Sequence, residues 1–272
     1  MILRLNDHGA PVRSLQRHLN KLGSILLIDG DFGPATRDAV VDARTVLALP
    51  GGGDADDDFQ AAVAARPDPF PPLRAAGATF IARLEVCGPR QYRLQYRHPE
   101  WPGEKSGITI GIGYDLKFVT RPEFEADWAG AVPAGAVDRL ACAFGRIGSP
   151  QLRQSVVDLD FPLGVAMTVF LERTLPEFLK KTRSIYPQVD TLPPSRAAAL
   201  VSLVYNRGTD LTGDRRSEMR AIRDRLAAGD LDSVASEIDA MERLWDPQCG
   251  LVKRRHDEAR LWRSGFAALQ LE

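Results

Sequence analysis

Apolar residues in the first part of the chain recur at helical spacing. Val12, Leu15, Leu19 and Leu22 stand at i, i+3, i+7 and i+10, one face of an amphipathic helix that Pro11 opens and Gly23 stops. A turn-rich run over 28–36 follows, punctuated by Asp29-Gly30 and Gly33-Pro34. A second helix is predicted from Pro34 through Thr36, Ala39, Val40, Ala43 and Leu47. A third is predicted over 56–65, with an acidic start suited to a helix N-terminus. Prolines then displace the periodicity, and 66–74 reads as a semi-rigid spacer. Beyond it Phe80, Ile81, Leu84 and Cys87 line a short helix ended by Gly88-Pro89. Residues 92–101 are aromatic and basic with little periodicity, an irregular strand or loop. The rest is helical by pattern, over 122–128, 134–144, 163–181, 195–204, 217–228, 231–245 and 252–264. The run 195–204 is almost continuous Ala, Leu and Val, a buried central helix with Ser195 as its cap.

One stretch breaks the helical pattern. In 109–116, Thr-Ile-Gly-Ile-Gly-Tyr-Asp-Leu, β-branched residues alternate with glycines, so the chain is extended and bends sharply. A straight strand would hold Thr109 and Asp115 about 20 Å apart, at about 3.3 Å per residue. A turn at Gly111 to Gly113, which glycine permits through positive φ, makes them neighbours across a hairpin. A hydroxyl and a carboxylate then share one face. Upstream, Glu85 falls near the C-terminal end of its helix, where the helix dipole disfavours a negative charge.

Composition narrows the classes. The 272 residues allow one large domain or two smaller ones, and 44% hydrophobic with 26% charged is ordinary for a globular protein. A net charge of -1 leaves no global footprint for nucleic acid, although the last third is rich in arginine. Three widely spaced cysteines, Cys87, Cys142 and Cys249, exclude a disulfide framework and a zinc spacing; free, mostly buried thiols are expected. The four histidines show no HExxH spacing and no GxSxG partner, so neither a metallopeptidase nor a serine hydrolase is indicated. The acidic run 54–58 lacks the glycine and the closing glutamate of a calcium loop and reads as a helix cap. Neither a metal nor a cofactor is expected. With no apolar run near membrane length and no secretory signal, the chain is expected to be made in the cytoplasm and carried to its target by another route.

Two families resemble parts of this chain. Gly9, Val12, Leu15-Gln16, Leu19, Gly23, Asp29-Gly30, Phe32-Gly33, Thr36 and Ala39-Val40 stand in the order of the small three-helix peptidoglycan-binding domain, a VxxLQxxL helix followed by DGxFGxxT. Ala43-Arg44 departs from that family, which usually has an aromatic and a glutamine there. Asp29, Gly30, Phe32 and Gly33 are the residues of this module that the resemblance singles out, with Phe32 expected between helices.

Glu85, then 109–115, then Tyr205-Asn206-Arg207-Gly208, then the Gly250-Leu251 segment with Arg254-Arg255 and Glu258 resemble the phage-type lysozymes and, more closely, the pesticin-like muramidases. The resemblance covers roughly 75–265. The fold it implies is α+β and predominantly helical: a peptidoglycan-binding domain over 1–65, the spacer 66–74, and a lysozyme-like domain over 75–272 with a small β-hairpin lobe.

The roles it implies are Glu85 as general acid, with Thr109 and Asp115 holding the attacking water. Tyr114, Asn206, Arg207 and Arg254 become substrate-binding candidates; Asn206 and Arg207 equally suit capping a helix, and Arg254 and Arg255 suit packing and pairing with carboxylates better than catalysis. Glu104 stays open as the second carboxylate, because the phage branch places its aspartate before the threonine. Cleaving a glycosidic bond takes a protonated carboxyl at the leaving oxygen and a carboxylate on the opposite side. The expected function is hydrolysis, by inversion, of the β-1,4 bond between N-acetylmuramic acid and N-acetylglucosamine, in an endolysin or an exported toxin. An inactive wall-docking protein and a lytic transglycosylase using Glu85 alone are the alternatives. The expected partner is peptidoglycan, with no nucleic acid or membrane, a monomeric state, and delivery by a holin or a secretion system to periplasmic peptidoglycan.

Overall fold

The computed structural model describes residues 1–130, 132 and 135–272. The chain is predominantly helical with one two-stranded antiparallel sheet among the described residues. It packs as two compact units. The first holds Met1–Leu26, Gly30–Arg66 and Glu85–Thr174; the second holds Leu27–Asp29, Pro67–Leu84 and Leu175–Glu272.

The first unit begins with three helices, α1 (Ala10–Asn20), α2 (Pro34–Val46) and α3 (Asp57–Ala64). Their shared core takes Val12, Leu15 and Leu19 from α1, Ala39, Val40 and Ala43 from α2, and Phe59 and Val63 from α3, with Phe32 wedged among them. Asp56 caps α3 by accepting the Phe59 N–H at 2.9 Å, the role expected of the acidic run. Arg44, where the family pattern usually differs, is 5% exposed. Its guanidinium donates to the carbonyls of Pro50 and Asp54 and to the Asp56 carboxylate, and stacks 4.6 Å from the Phe59 ring. That one side chain closes the 50–56 loop onto the bundle.

The remainder of the first unit carries the hairpin, β1 (Thr109–Ile110) and β2 (Tyr114–Asp115), followed by the short helices α5 (Arg121–Asp127), α6 (Ala136–Leu140), α7 (Pro150–Gln154) and α8 (Leu163–Val169). Thr120 starts α5 with a reciprocal capping box to Glu123. An aromatic cluster of Phe124, Trp128, Phe144 and Phe161 packs behind the hairpin, with rings 5.3 to 5.8 Å apart. Residues 92–96, expected as strand or loop, instead form a π-helical turn, Tyr92–Tyr96. Tyr92 anchors it: the side chain is fully buried and its hydroxyl donates to the Phe161 carbonyl at 2.7 Å.

In the second unit α4 (Arg74–Val86, of which the turns up to Leu84 belong here), α9 (Leu175–Ile185), α10 (Pro194–Arg207), α11 (Ser217–Ala227), α12 (Val234–Ala240) and α13 (Gly250–Ser264) surround one another. Every residue from Ala197 to Val204 is buried, so α10 is the central helix that its composition predicts. Its cap position is Pro193 rather than Ser195, which lies inside the first turn. Gly77 lets α4 approach closely, since a Cβ there would sit 3.0 Å from the Ala198 Cβ. Glu258 of α13, fully buried, accepts from Ser202 at 2.6 Å, from Arg254 at 3.2 Å and from Arg255 at 3.0 Å. This ion cluster ties α13 to α10.

Other expectations shift. The predicted helix 163–181 is interrupted by a π-helical turn at Phe170–Thr174. That at 231–245 shortens to α12 plus a 3-10 turn, Met241–Leu244. The helix expected from 134 has its first residue outside the described ones and is helical over Ala136–Leu140. The three cysteines are free thiols but not buried: Cys87 is exposed, and Cys142 and Cys249 are half-buried. No helix among the described residues is long and apolar enough to cross a membrane.

Candidate functional site

Glu85 stands in the last turn of α4, half-buried. The helix ends immediately after it, because Cys87 at φ 60° and Gly88 at φ 135° leave the right-handed helical region. The chain then re-enters helical turns and brings Tyr96 back beside this end. The Tyr96 phenol is held above its ordinary value, first by burial and then by Cys87, Glu85 and Glu100. Glu85 and Glu100 thus lie within electrostatic range of one hydroxyl.

The hairpin has the register that the glycine pattern predicts: Thr109 opposes Asp115 and Ile110 opposes Tyr114. Gly111 at φ 57° and Gly113 at φ 67° make the turn. Gly111 is further constrained, since a Cβ there would come within 3.0 Å of the Trp128 ring. On its other side Thr109 bridges Glu100, exchanging both backbone bonds at 2.9 and 2.7 Å. Directly opposed residues of antiparallel chains project from the same face. Glu100, Thr109 and Asp115 therefore form one row across three extended segments, a hydroxyl flanked by two carboxylates.

Both carboxylates are engaged. The Gly107 N–H donates to both Asp115 oxygens at 3.1 Å, and the Lys117 N–H donates to Oδ1 at 2.8 Å. Asp115 thereby caps the 3-10 turn Leu116–Phe118. Gly107 is indispensable to this contact, because a Cβ there would meet Asp115 Oδ1 at 2.3 Å. Glu100 is gripped by the Arg153 guanidinium through two parallel bonds of 2.9 and 2.7 Å. Glu104, the other carboxylate left open by the sequence, sits exposed in the preceding loop at φ 49°. Sequence reasoning did not single out the Glu100–Arg153 pair; fifty-odd residues separate the partners, and no local pattern joins them.

The substrate-binding candidates fall in different places. Tyr114 packs edge-on against Phe124 and Trp128 and donates its hydroxyl to Asp127 at 2.7 Å. Burial, then that bond, push its phenol up. Asn206 and Arg207, at the C-terminal end of α10, line a cavity of about 570 Å³ with Asp210, Asp214, Arg215, Arg216 and Trp245. The Arg207 guanidinium lies 5.1 Å from the Trp245 ring centroid and donates to the Arg215 carbonyl. Burial and then the neighbouring cations Arg216, Arg255 and Arg215 bring its pKa down to about 10. Arg254 does not reach such a surface. It is 6% exposed and directed at Glu258 and at Ser202, whose carbonyl and hydroxyl accept from it at 3.1 Å. Its contacts are those of a helix clamp rather than a glycan contact.

In the three-helix module the signature residues hold the fold. Gln16, 1% exposed, accepts the Gly30 N–H at 2.9 Å and donates to the Asp31 carbonyl and the Thr36 hydroxyl at 3.1 and 3.2 Å. Gly30 takes φ 84°, Phe32 is 1% exposed, and Gly33 occupies the cap position of α2. Asp29 is exposed. Gln16 and Thr36 are the recurring polar letters of the two motifs, and their burial explains why the motifs need them.

Comparison with protein families matches residues 8–63 to the model described as "Putative peptidoglycan binding domain". A search of curated proteins finds no match to the chain. The match covers the first two helices and all but the last residue of the third, and associates the chain with peptidoglycan through them.

Proposed function

We propose that the chain is a modular muramidase, hydrolysing the β-1,4 bond between N-acetylmuramic acid and N-acetylglucosamine in peptidoglycan. Glu85 is the general acid that protonates the leaving oxygen. Thr109 and Asp115 hold the attacking water, and Asp115 accepts its proton as the oxygen adds to the sugar from the opposite side and inverts the anomeric centre. The observation that carries this reading is the hairpin register, in which Thr109 stands directly opposite Asp115. A water held by that hydroxyl and carboxylate has one acceptor and one donor already fixed in place, so little orientation remains to be lost in the transition state.

Part of the acceptor capacity of Asp115 is already taken by the Gly107 and Lys117 N–H groups. That same observation favours a second reading, a lytic transglycosylase in which Glu85 acts alone and the muramyl 6-hydroxyl replaces water. Asn206 and Arg207 contact glycan at the cavity beside Trp245. The module at 8–63 raises the local concentration of substrate by tethering the chain to the wall. Delivery by lysis or by export follows from the target, periplasmic peptidoglycan.

Mass spectrometry of the muropeptides released from purified sacculi tests this. Reducing N-acetylmuramic acid ends support hydrolysis, 1,6-anhydro ends move the assignment to the transglycosylase, and a folded chain that releases nothing leaves only wall docking.

A further inference from the structure

Gly30, Phe32 and Gly33 of the module serve the fold and only Asp29 of the four is exposed, so a surface that meets the wall needs further lining residues. A cavity of about 340 Å³ opens between α1 and α3, within the range of about 300–1,000 Å³ typical of small-ligand sites. Its apolar surface comes from Pro11, Leu15, Ala61 and Ala64, and its polar groups are the Ser14 hydroxyl, the His18 imidazole and the Gln60 carboxamide. All but Ala64 fall inside the stretch matched by the peptidoglycan-binding family. Burial, with Lys21 and Arg17 adding to it, holds His18 below its ordinary value of 6.5. The lining side chains include no acid, and the Lys21 ammonium stands beside them, donating to the Ala64 carbonyl at 3.1 Å. Gln60 is fixed in place by donating to the Met1 and Ala55 carbonyls at 2.8 Å, which leaves its side-chain oxygen to accept.

We propose that this α1–α3 cavity is the wall-binding site of the module, and that it takes the uncharged N-acetylglucosamine units of the glycan strand rather than the charged stem peptides. The inference rests on the reading that the chain binds peptidoglycan. Charge and shape complementarity select the ligand. An ammonium of the stem peptide would lose its hydration here against a lining with no acidic side chain, and the nearby Lys21 ammonium is already engaged, donating to the Ala64 and Arg66 carbonyls. An N-acetylhexosamine presents one C–H face and an acetamido methyl to the Pro, Leu and Ala surface. Its hydroxyls and amide can exchange hydrogen bonds with Ser14, His18 and Gln60.

Co-sedimentation of the full chain with purified sacculi at 4 °C tests the inference. Ala64 and Ala61 are exposed, so Ala64→Trp fills the cavity without entering the core, and Ala61→Arg serves as a second variant if the first fails to fold. The expected result is that wild type pellets, that the variant binds at least about tenfold more weakly with an unchanged circular dichroism spectrum and Tm, and that chitotetraose displaces wild type. A folded variant that pellets like wild type overturns the site while leaving peptidoglycan binding intact. Displacement by a sugar-free stem peptide but not by chitotetraose overturns the ligand class. Failure of wild type itself to pellet removes the reading on which the inference rests.

Discussion

At the scale of single residues, Asp115 does two jobs with one carboxylate. It faces Thr109 across the hairpin, and it satisfies the N–H groups of Gly107 and Lys117. Removing it with Asp115→Ala leaves those half-buried donors unpaired, at a cost of about 1–3 kcal/mol, read as a lower urea midpoint. Asp115→Asn retains one oxygen acceptor and is predicted to fold nearly as well while clearing peptidoglycan suspensions far more slowly. If Asp115→Asn keeps full activity and Glu104→Gln abolishes it, the second carboxylate is Glu104. Arg254 shows the opposite case, a residue that motif resemblance offers to substrate and burial assigns to structure. Arg254→Met removes one partner of a buried pair and is predicted to cost about 3–5 kcal/mol in denaturant unfolding. A variant with unchanged stability and weakened substrate binding would contradict that assignment. The Thr109–Asp115 pairing was legible because alternating glycines can be read locally. The engagement of Asp115 by Gly107, and the clamp of Glu100 by Arg153, depend on chain segments that no periodicity connects.

At the scale of elements, the hairpin is fixed by positions where a side chain does not fit. Gly111 combines a left-handed backbone with the Trp128 ring close by. Gly111→Ala is predicted to lose about 1–2 kcal/mol from the backbone alone, with more from the contact, and to lower Tm. An unchanged Tm would mean that the turn does not need glycine. The third helix of the module depends on its cap. The Phe59 N–H, then Arg44, hold the Asp56 carboxyl below its ordinary value of 3.8. A carboxylate depressed in the folded state contributes stability above its unfolded pKa and loses it as pH falls through the folded one. Module stability is therefore predicted to decline below about pH 4, and Asp56→Ala to cost about 1 kcal/mol at neutral pH and to flatten that acid slope. Thermal unfolding followed across pH 2 to 6 checks both. Helix periodicity revealed the three module helices and the buried α10 well. It missed the π-helical turn Tyr92–Tyr96, where five long side chains carry no clear period and a single buried anchor, Tyr92, decides the conformation.

At the scale of the whole molecule, the chain order and the packing order differ. Residues 85–174 pack in the same unit as the three-helix module, and the turns of α4 that precede Glu85 pack with the C-terminal helices. Arg93 reaches Asp38 and, at 3.2 Å, Asp42 of α2, one of the links within that first unit. Such pairings lie about fifty positions apart and leave no trace in composition, so the sequence suggested a linear string of module, spacer and enzyme. Within the second unit, by contrast, the GLxxRRxxE pattern was visible, and its meaning became physical only with Glu258 buried against Ser202, Arg254 and Arg255. The proposed cleavage of the glycan strand by Glu85 belongs to this scale, because it is an act of the assembled chain on a polymer. The measurement that meets it most directly is muropeptide release from purified sacculi by wild type and by Glu85→Gln, with folding of both verified by circular dichroism. Wild type is expected to release disaccharide-peptides with reducing N-acetylmuramic acid ends, and the variant about 10²–10⁴-fold less; equal release by both proteins, or none from wild type, would contradict a catalytic role for Glu85.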